Sequence, residues 1–358
     1  MAWLVLSDGK AFAGDPFGPW NASDKIIKGE VVFNTSMGGY QEMITDLSYA
    51  GQILTFTHPQ IGNYGWHNEE SEADKVLIKG ILVRELSSGE GSLHADKSLE
   101  DFCCEHGIPG MKGLDTRALT RYIRNHGTIP GVMVEELSQG IDYWQKFAPK
   151  VIEPDTHWVY QATVTEEVVI PGSGPTIAVL DLGAKKNILR CLTKRGYQLH
   201  VFPAGTPARK ILDIMPQGLV LTNGPGDPSG LPEIAGNMAQ LIDKLPILGI
   251  CMGHQIMAMA AGANTYKLPF GHRGGNHPVQ NLNTGKVTMT SQNHGYAVTE
   301  ESLNGTGFSV MFRNVNDGTV EGLRHDRFPV LTVQYHPEAA PGPEENNNIF
   351  DLFATMLE

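Results

Sequence analysis

Ile247-Leu248-Gly249-Ile250-Cys251-Met252-Gly253-His254-Gln255 decides how this chain folds. Its first four residues are a short, continuous apolar run, the pattern of a strand buried on both faces. Residues 256–261 continue as a helix. Between strand and helix, Cys251 is framed by glycines as Gly-x-Cys-x-Gly, the strand–nucleophile–helix elbow with cysteine in place of serine. Such a turn forces its central residue into a strained backbone conformation, and the flanking glycines remove side chains that would clash. The helix aims free N–H groups and its positive dipole end at the sulfur, favouring the thiolate. The N–H of Met252 is placed to hold a developing oxyanion. A lone cysteine is usually buried and inert; this frame marks Cys251 as a nucleophile.

The sequence upstream supplies the rest of the sheet. Thr176-Ile177-Ala178-Val179-Leu180, Leu199-His200-Val201-Phe202 and Gly218-Leu219-Val220-Leu221 are further strand-like runs. Helical stretches fall between them, at about residues 183–196, 208–215 and 233–245. This alternation predicts right-handed βαβ units, an α/β fold with a mostly parallel central sheet, and a working site beyond the carboxyl ends of the strands. The domain so defined spans residues 176–358.

Residues 1–150 read as a separate, mixed α/β domain. Val31-Val32-Phe33, Ile53-Leu54-Thr55-Phe56-Thr57 and Val76-Leu77-Ile78 are strand-like. One helix is clear, capped by Asp115 or Thr116 and ended by Gly127, with Ala118, Leu119, Tyr122 and Ile123 as its apolar face. Arg117, Arg121 and Arg124 line another face, a docking stripe or, more commonly, a solvated surface. Residues 151–175 read as a connector, opened by Glu153-Pro154-Asp155 and closed by Pro171-Gly172-Ser173-Gly174-Pro175, with a strand expected inside at residues 164–170.

Composition narrows the function. Hydrophobic residues make up 41% of the 358 and charged residues 18%, which excludes a mainly disordered chain. The 41 Gly and 22 Pro follow no fixed period, which excludes a fibrous repeat. With 27 basic against 39 acidic residues the net charge is −12, so nucleic acid and membrane surfaces are poor partners. No apolar run approaches bilayer-spanning length, and the start, Met1-Ala2-Trp3-Leu4-Val5-Leu6-Ser7-Asp8, lacks the basic region of a signal peptide. Cys103, Cys104, Cys191 and Cys251 show no metal-ligand spacing and are too few to staple the chain. A soluble protein of a reducing cytoplasm is expected.

The chemistry gathers at the strand ends. Val330-Leu331-Thr332-Val333-Gln334 reads as a late strand that delivers Tyr335-His336-Pro337-Glu338. His336 is the base that takes the thiol proton and returns it to the leaving amine. Glu338 points to the same side if the stretch stays extended, and fixes the imidazole's tautomer; Pro337 stiffens the link. Thr222-Asn223-Gly224-Pro225-Gly226-Asp227-Pro228 presents bare backbone N–H groups, suited to an oxyanion or a carboxylate. No phosphate loop of the G-x-x-x-x-G-K-[ST] type occurs. His254, His272, His277 and His294 match no zinc spacing and are expected as loop histidines packed around the site, with no metal bound. Nucleophile, base, orienter and oxyanion loop together describe acyl transfer through a thioester.

Residues 176–358 resemble the class I (triad) glutamine amidotransferases, and the whole chain is similar to the small, glutamine-hydrolysing subunit family of carbamoyl-phosphate synthases. The resemblance is carried by Gly29-Glu30-Val31-Val32-Phe33-Asn34-Thr35-Ser36-Met37 with Gly39-Tyr40-Gln41-Glu42, and by Asp181-Leu182-Gly183-Ala184-Lys185-Lys186-Asn187. It continues in Phe270-Gly271-His272-Arg273-Gly274-Gly275-Asn276-His277-Pro278, Gln292-Asn293-His294-Gly295-Tyr296 and His336-Pro337-Glu338-Ala339. Mild departures from the family pattern fall at Gly39, Leu47 and Met252.

The resemblance implies a catalytic Cys251, His336 and Glu338, and L-glutamine contacts at Ser48, Gly224, Gly226, Met252, Gln255, Asn293, Gly295 and Tyr296. For Gln255 the residues speak independently, since it lies one helical turn from Cys251. The resemblance also implies a large synthetase subunit as partner, an assembly of such heterodimers, no cofactor in this chain, and ATP and Mg in the partner. The product would feed arginine or pyrimidine biosynthesis. Two rivals are a glutaminase subunit of a different ammonia-using synthase, disfavoured by the N-terminal block, and a cysteine peptidase or hydrolase on the same elbow, disfavoured by Asn293-His294-Gly295 and Gln255. A non-catalytic docking subunit is disfavoured by the complete triad.

Overall fold

The computed structural model describes residues 1–20, 26–88, 95–147 and 157–358, and the chain divides into two compact units, Met1–Glu153 and Pro154–Glu358. In the first unit seven strands close into a barrel. Their order is Ala2–Leu6, Ala11–Phe17, Gly110–Lys112, Gly80–Leu82, Gln52–Phe56, Ile27–Asn34 and Ile129–Val134. Closure leaves no sheet edge. The barrel mixes parallel and antiparallel pairs: Ile27–Asn34 runs parallel to Gln52–Phe56 and antiparallel to Ile129–Val134.

Two expectations for this unit need correcting. Val76-Leu77-Ile78 is not a strand; the pairing strand begins at Gly80. The segment before it is held by single bonds instead, Gly51 N–H to Leu77 O and Lys79 N–H to Gln52 O. The helix Thr116–His126 is capped by Asp115, whose side chain accepts from the Ala118 N–H, and ends at Gly127. Its buried residues are Thr116, Leu119 and Ile123, whereas Ala118 is exposed. Tyr122 is half-buried because its hydroxyl turns outward to donate to Asp8 Oδ2 at 2.7 Å.

The second unit is a ten-stranded sheet with helices packed on it. Its centre is parallel, in the order Gln198–Pro203, Thr176–Asp181, Gly218–Leu221, Ile247–Ile250 and Val330–Val333. Gly218–Leu221 and Ile247–Ile250 are apolar throughout because both faces are covered. Ala178 and Leu180 enter one core cluster while Ile177 and Val179 enter the other, and Leu219, Leu221 and Val220 divide the same way. The remaining strands are antiparallel, so the sheet is mixed. Thr265–Asn281 and Val287–Val298 form a long hairpin, joined to the centre through Phe308–Asn314 and Val320–His325. A connection of a few residues permits only antiparallel pairing.

Part of the stretch read as a connector carries structure. His157–Ala162 is a helix, and the strand is only Val168–Ile170, pairing antiparallel with Gln198–Pro203. Residues 163 and 164 are instead tied to Asp181: Thr163 Oγ1 donates to its carbonyl at 2.6 Å, and the Val164 N–H donates to its Oδ2 at 2.7 Å. Glu153-Pro154-Asp155, read as the connector's opening, lies outside the described residues. The helix expected at about residues 233–245 is Pro232–Ala239, beyond which Leu241 and Lys244 donate three residues back, in tight turns.

Candidate active site

Cys251 has φ 51° and ψ −101°, the strained conformation expected of an elbow nucleophile. It sits between strand Ile247–Ile250 and helix Met252–Ala260, and its own N–H donates to Val333 O at 2.8 Å. The glycines are sterically required. A Cβ on Gly253 would stand 2.4 Å from Leu221 O, and one on Gly249 would stand 2.8 Å from Gly253 O. That closeness lets the Gly253 N–H donate to Thr222 O at 3.0 Å, docking the elbow on the neighbouring strand end. The Cys251 Sγ lies 3.8 Å from Asn293 O and accepts from Gln334 Nε2 at 3.7 Å.

The strand before the histidine stops at Val333, one residue sooner than expected, and the stretch that follows is not extended. Its backbone turns, closed by the Ala339 N–H donating to His336 O at 3.2 Å, and the His336 N–H is anchored on Ser291 O at 2.9 Å. A turn, rather than an extended segment, therefore brings the two side chains together, with His336 Nδ1 2.7 Å from Glu338 Oε1. Both residues are about 1% exposed. The His336 Nε2 is buried without a well-formed hydrogen bond, although the Cys251 thiol is near enough to act on it electrostatically. Burial pushes the imidazole's pKa down, but the Glu338 carboxylate and the thiol push it up harder, so the imidazolium is favoured.

Glu338 has a second partner that the sequence did not single out for a role. Lys185 Nζ stands 3.0 Å from Glu338 Oε1 and also donates to Ala339 O, and its side chain is 3% exposed. Burial alone would raise the Glu338 pKa; the Lys185 ammonium and then the His336 imidazole reverse that and hold it well below the ordinary value. The turn that aims Lys185 is built locally. Asp181 Oδ1 accepts from the N–H groups of Gly183 and Ala184, Gly183 adopts φ 126°, and the Lys185 N–H donates to Asn223 Oδ1.

Family models match in both halves: residues 4–133 match the carbamoyl-phosphate synthase small chain, CPSase domain, and residues 178–356 match glutamine amidotransferase class-I. The chain is 46% identical over 356 residues to a carbamoyl phosphate synthase small chain of Bacillus cereus, covering 99% of this chain and 95% of that one. The small chain of Oceanobacillus iheyensis is 45% identical over 355 residues, with the same two coverages. The chain belongs to the carbamoyl-phosphate synthase small-chain family. With its class-I amidotransferase domain it is the glutamine-hydrolysing subunit, which supplies ammonia to the large subunit. Among solved structures it is similar to a glutamine amidotransferase of Thermotoga maritima, at 17% identity and TM-score 0.36, covering 46% of this chain and 77% of that one.

In this small chain the residues expected to contact glutamine fall in different places. Gly224 is buried where a Cβ would meet Leu182 O at 2.2 Å, and Gly226, exposed in the same loop, has φ 90°. Met252 opens the elbow helix. Gln255, Asn293, Gly295 and Tyr296 belong to that helix and to strand Val287–Val298. Gln255 Nε2 already donates to Tyr296 O at 2.8 Å and to Gln334 Oε1 at 3.0 Å, so a ligand would meet its Oε1. Ser48 lies in the first unit, on the short turn Leu47–Tyr49, where its N–H donates to Asp46 Oδ1.

The four histidines are not in loops. His272 and His277 lie on Thr265–Asn281, His294 on Val287–Val298 and His254 in the elbow helix. Burial holds His254, His277 and His294 below the ordinary imidazole range, toward neutrality. His272 differs: against the effect of burial, Asp317 at 2.8 Å and Glu321 push it up to about 9. His272, His294 and Glu321 bring ligand-type atoms within 4.8 Å of one another. His294 stands between two acceptors, Tyr296 O beside Nδ1 and Gln292 Oε1 beside Nε2, and its neutral ring donates to one of them, while Glu321 accepts from Gln292 and Asn314. Hydrogen bonds tie the cluster together, although the His272 Nδ1 is buried without a hydrogen-bond partner of its own.

Proposed function

We propose that Cys251, His336 and Glu338 are the catalytic triad by which this small chain hydrolyses L-glutamine. The observation that carries the assignment is the short Nδ1–Oε1 contact of the buried His336–Glu338 pair, in the same unit as a cysteine held at positive φ on an elbow. With Glu338 stabilising its positive charge, His336 keeps the proton while the Cys251 sulfur attacks the side-chain amide carbon. The developing oxyanion is held by the Met252 N–H at the helix start. As the carbon–nitrogen bond breaks, His336 gives its proton to the leaving amine, releasing ammonia and a γ-glutamyl thioester. Neutral His336 then takes a proton from water, which attacks the thioester; glutamate leaves and the thiolate returns.

Gly224, Gly226, Met252, Gln255, Asn293, Gly295, Tyr296 and Ser48 are our candidates for the glutamine contacts. We assign residues 1–150 to docking, residues 151–175 to the connector and residues 176–358 to the glutaminase domain. The large synthetase subunit carries the ATP- and Mg-dependent steps on bicarbonate, and the complex works in the cytoplasm, as a heterodimer or an assembly of heterodimers. Among the described residues no helix is long and apolar enough to cross a membrane.

A glutamine analogue with an electrophilic side chain tests the nucleophile. One equivalent should add covalently, mapping to Cys251, and Cys251→Ser should prevent it. Label that persists in Cys251→Ser, or maps to Cys191, contradicts the assignment.

A further inference from the structure

An open groove of about 840 Å³ lies within the first unit, and four of the ten residues that line it are arginines: Arg84, Arg117, Arg121 and Arg124. All four are exposed. Arg84 Nη1 donates to Gly113 O at 3.2 Å. Among the described residues no carboxylate forms an ion pair with Arg117, Arg121 or Arg124. Asp115 is the only acid in the lining, and one of its oxygens caps the helix.

Arg117, Arg121 and Arg124 follow one another at spacings of four and three residues on helix Thr116–His126, so they form a single stripe. Like charges at those spacings repel, and Arg117, in the first helical turn, also opposes the helix dipole. Arg124, in the last turn, is favoured by the dipole, but the like-charge spacing works against the helix, and among the described residues no carboxylate is paired with the three to offset it. The stripe stands out against a chain of net charge −12. The rise from Arg117 to Arg124 is roughly 10 Å at 1.5 Å per residue, longer than one phosphate group and suited to a row of carboxylates. The guanidinium forks match carboxylates two bonds at a time, and Thr57 adds a hydroxyl along the same groove.

Resting on the reading of this chain as the ammonia-supplying subunit, we propose that the arginine groove docks a carboxylate-rich surface of the large synthetase subunit. A positive groove on an otherwise acidic protein steers such a partner to one face and sets its register.

The test uses the full chain, the purified large subunit and two double variants, Arg117→Glu/Arg121→Glu and Arg117→Lys/Arg121→Lys. Dissociation constants are measured at about 50 and about 300 mM salt, where screening differs. The glutamate variant should bind about 100-fold more weakly than wild type and lose most of the salt dependence, while the lysine variant stays within about 10-fold. Glutamine hydrolysis by the free chain should be unchanged in both, which also reports that they fold. A glutamate variant with wild-type affinity overturns the proposal. It is equally overturned if inorganic phosphate stabilises wild type but not the glutamate variant while assembly stays normal, since the groove then serves a small anion. Free wild-type chain that fails to hydrolyse glutamine contradicts the functional reading instead, and leaves the docking result readable.

Discussion

Lys185 and Glu338 form an ion pair at 3.0 Å with side chains 3% and 0% exposed, and the same Glu338 oxygen lies 2.7 Å from the His336 imidazole. One carboxylate thus has two cationic neighbours among side chains almost closed to solvent. Removing one partner of a buried ion pair costs about 3–5 kcal/mol when the other charge is left alone; here His336 still faces Glu338, so about 3 kcal/mol is the upper end. Lys185→Met should therefore cost stability of that order in denaturant titration and lower the glutaminase rate. The sign of the pH effect follows from the depressed Glu338 pKa. Its contribution to stability is present above the ordinary carboxylate value and is lost as pH falls from there toward the depressed native value; without Lys185 the native value lies closer to the ordinary one, so less stability should be lost on acidification. A Lys185→Met chain with unchanged acid stability would show the pair to be inert.

His336 and Glu338 should differ in kinetic weight. A group that carries the proton in the transition state matters more than one that orients it. His336→Asn should lower the glutaminase kcat by about a thousandfold or more and Glu338→Gln by less. The opposite order, measured with initial rates, would exchange their roles.

The elbow makes a steric prediction. Gly253→Ala places a Cβ 2.4 Å from Leu221 O, where backbone on both sides must shift. It should destabilise the fold by about 1–3 kcal/mol and abolish glutamine hydrolysis. Gly236, inside helix Pro232–Ala239, has open space around it, so Gly236→Ala should instead stabilise by about 0.5–1 kcal/mol with full activity. Denaturant titration of the two variants beside wild type separates the effects.

His272 and Asp317 give a second pH test. The His272 pKa is raised to about 9, so the pair's contribution is fully present below about 6.5 and is lost as pH rises through about 9. Asp317 is 42% exposed, and solvent screening limits the effect to about 1 kcal/mol. Asp317→Asn should be less stable than wild type by that amount at pH 6.5, and the two should converge toward pH 9 and above. A gap that is constant with pH would mean the pair does not titrate as described.

The residues that were legible in the sequence are those whose signal is local. Gly249, Cys251 and Gly253 announce an elbow because the whole pattern sits within five consecutive residues, although the contact that demands Gly253 comes from Leu221, and the parallel strands announce themselves by apolar runs. Lys185 gave no such signal: it lies 153 positions from Glu338, and only the fold brings them together. The turn at residues 334–339 was read as extended because what closes it includes an anchor on Ser291, on a strand far off in sequence. The barrel was illegible for another reason. Gly80–Leu82 and Gly110–Lys112 are three residues long, too short for periodicity, and Gly110 is there because a Cβ would meet the Phe17 ring at 2.2 Å.

The division of labour between the two subunits is tested most directly by comparing nitrogen sources in one reconstituted complex. Cys251→Ser is assembled with the large subunit, ATP and bicarbonate, and carbamoyl phosphate is measured with glutamine and then with an ammonium salt. Synthesis from glutamine should vanish, while synthesis from ammonium stays close to the wild-type rate, because Cys251 serves only to release the ammonia. Loss of both activities in a complex that assembles normally would contradict the account.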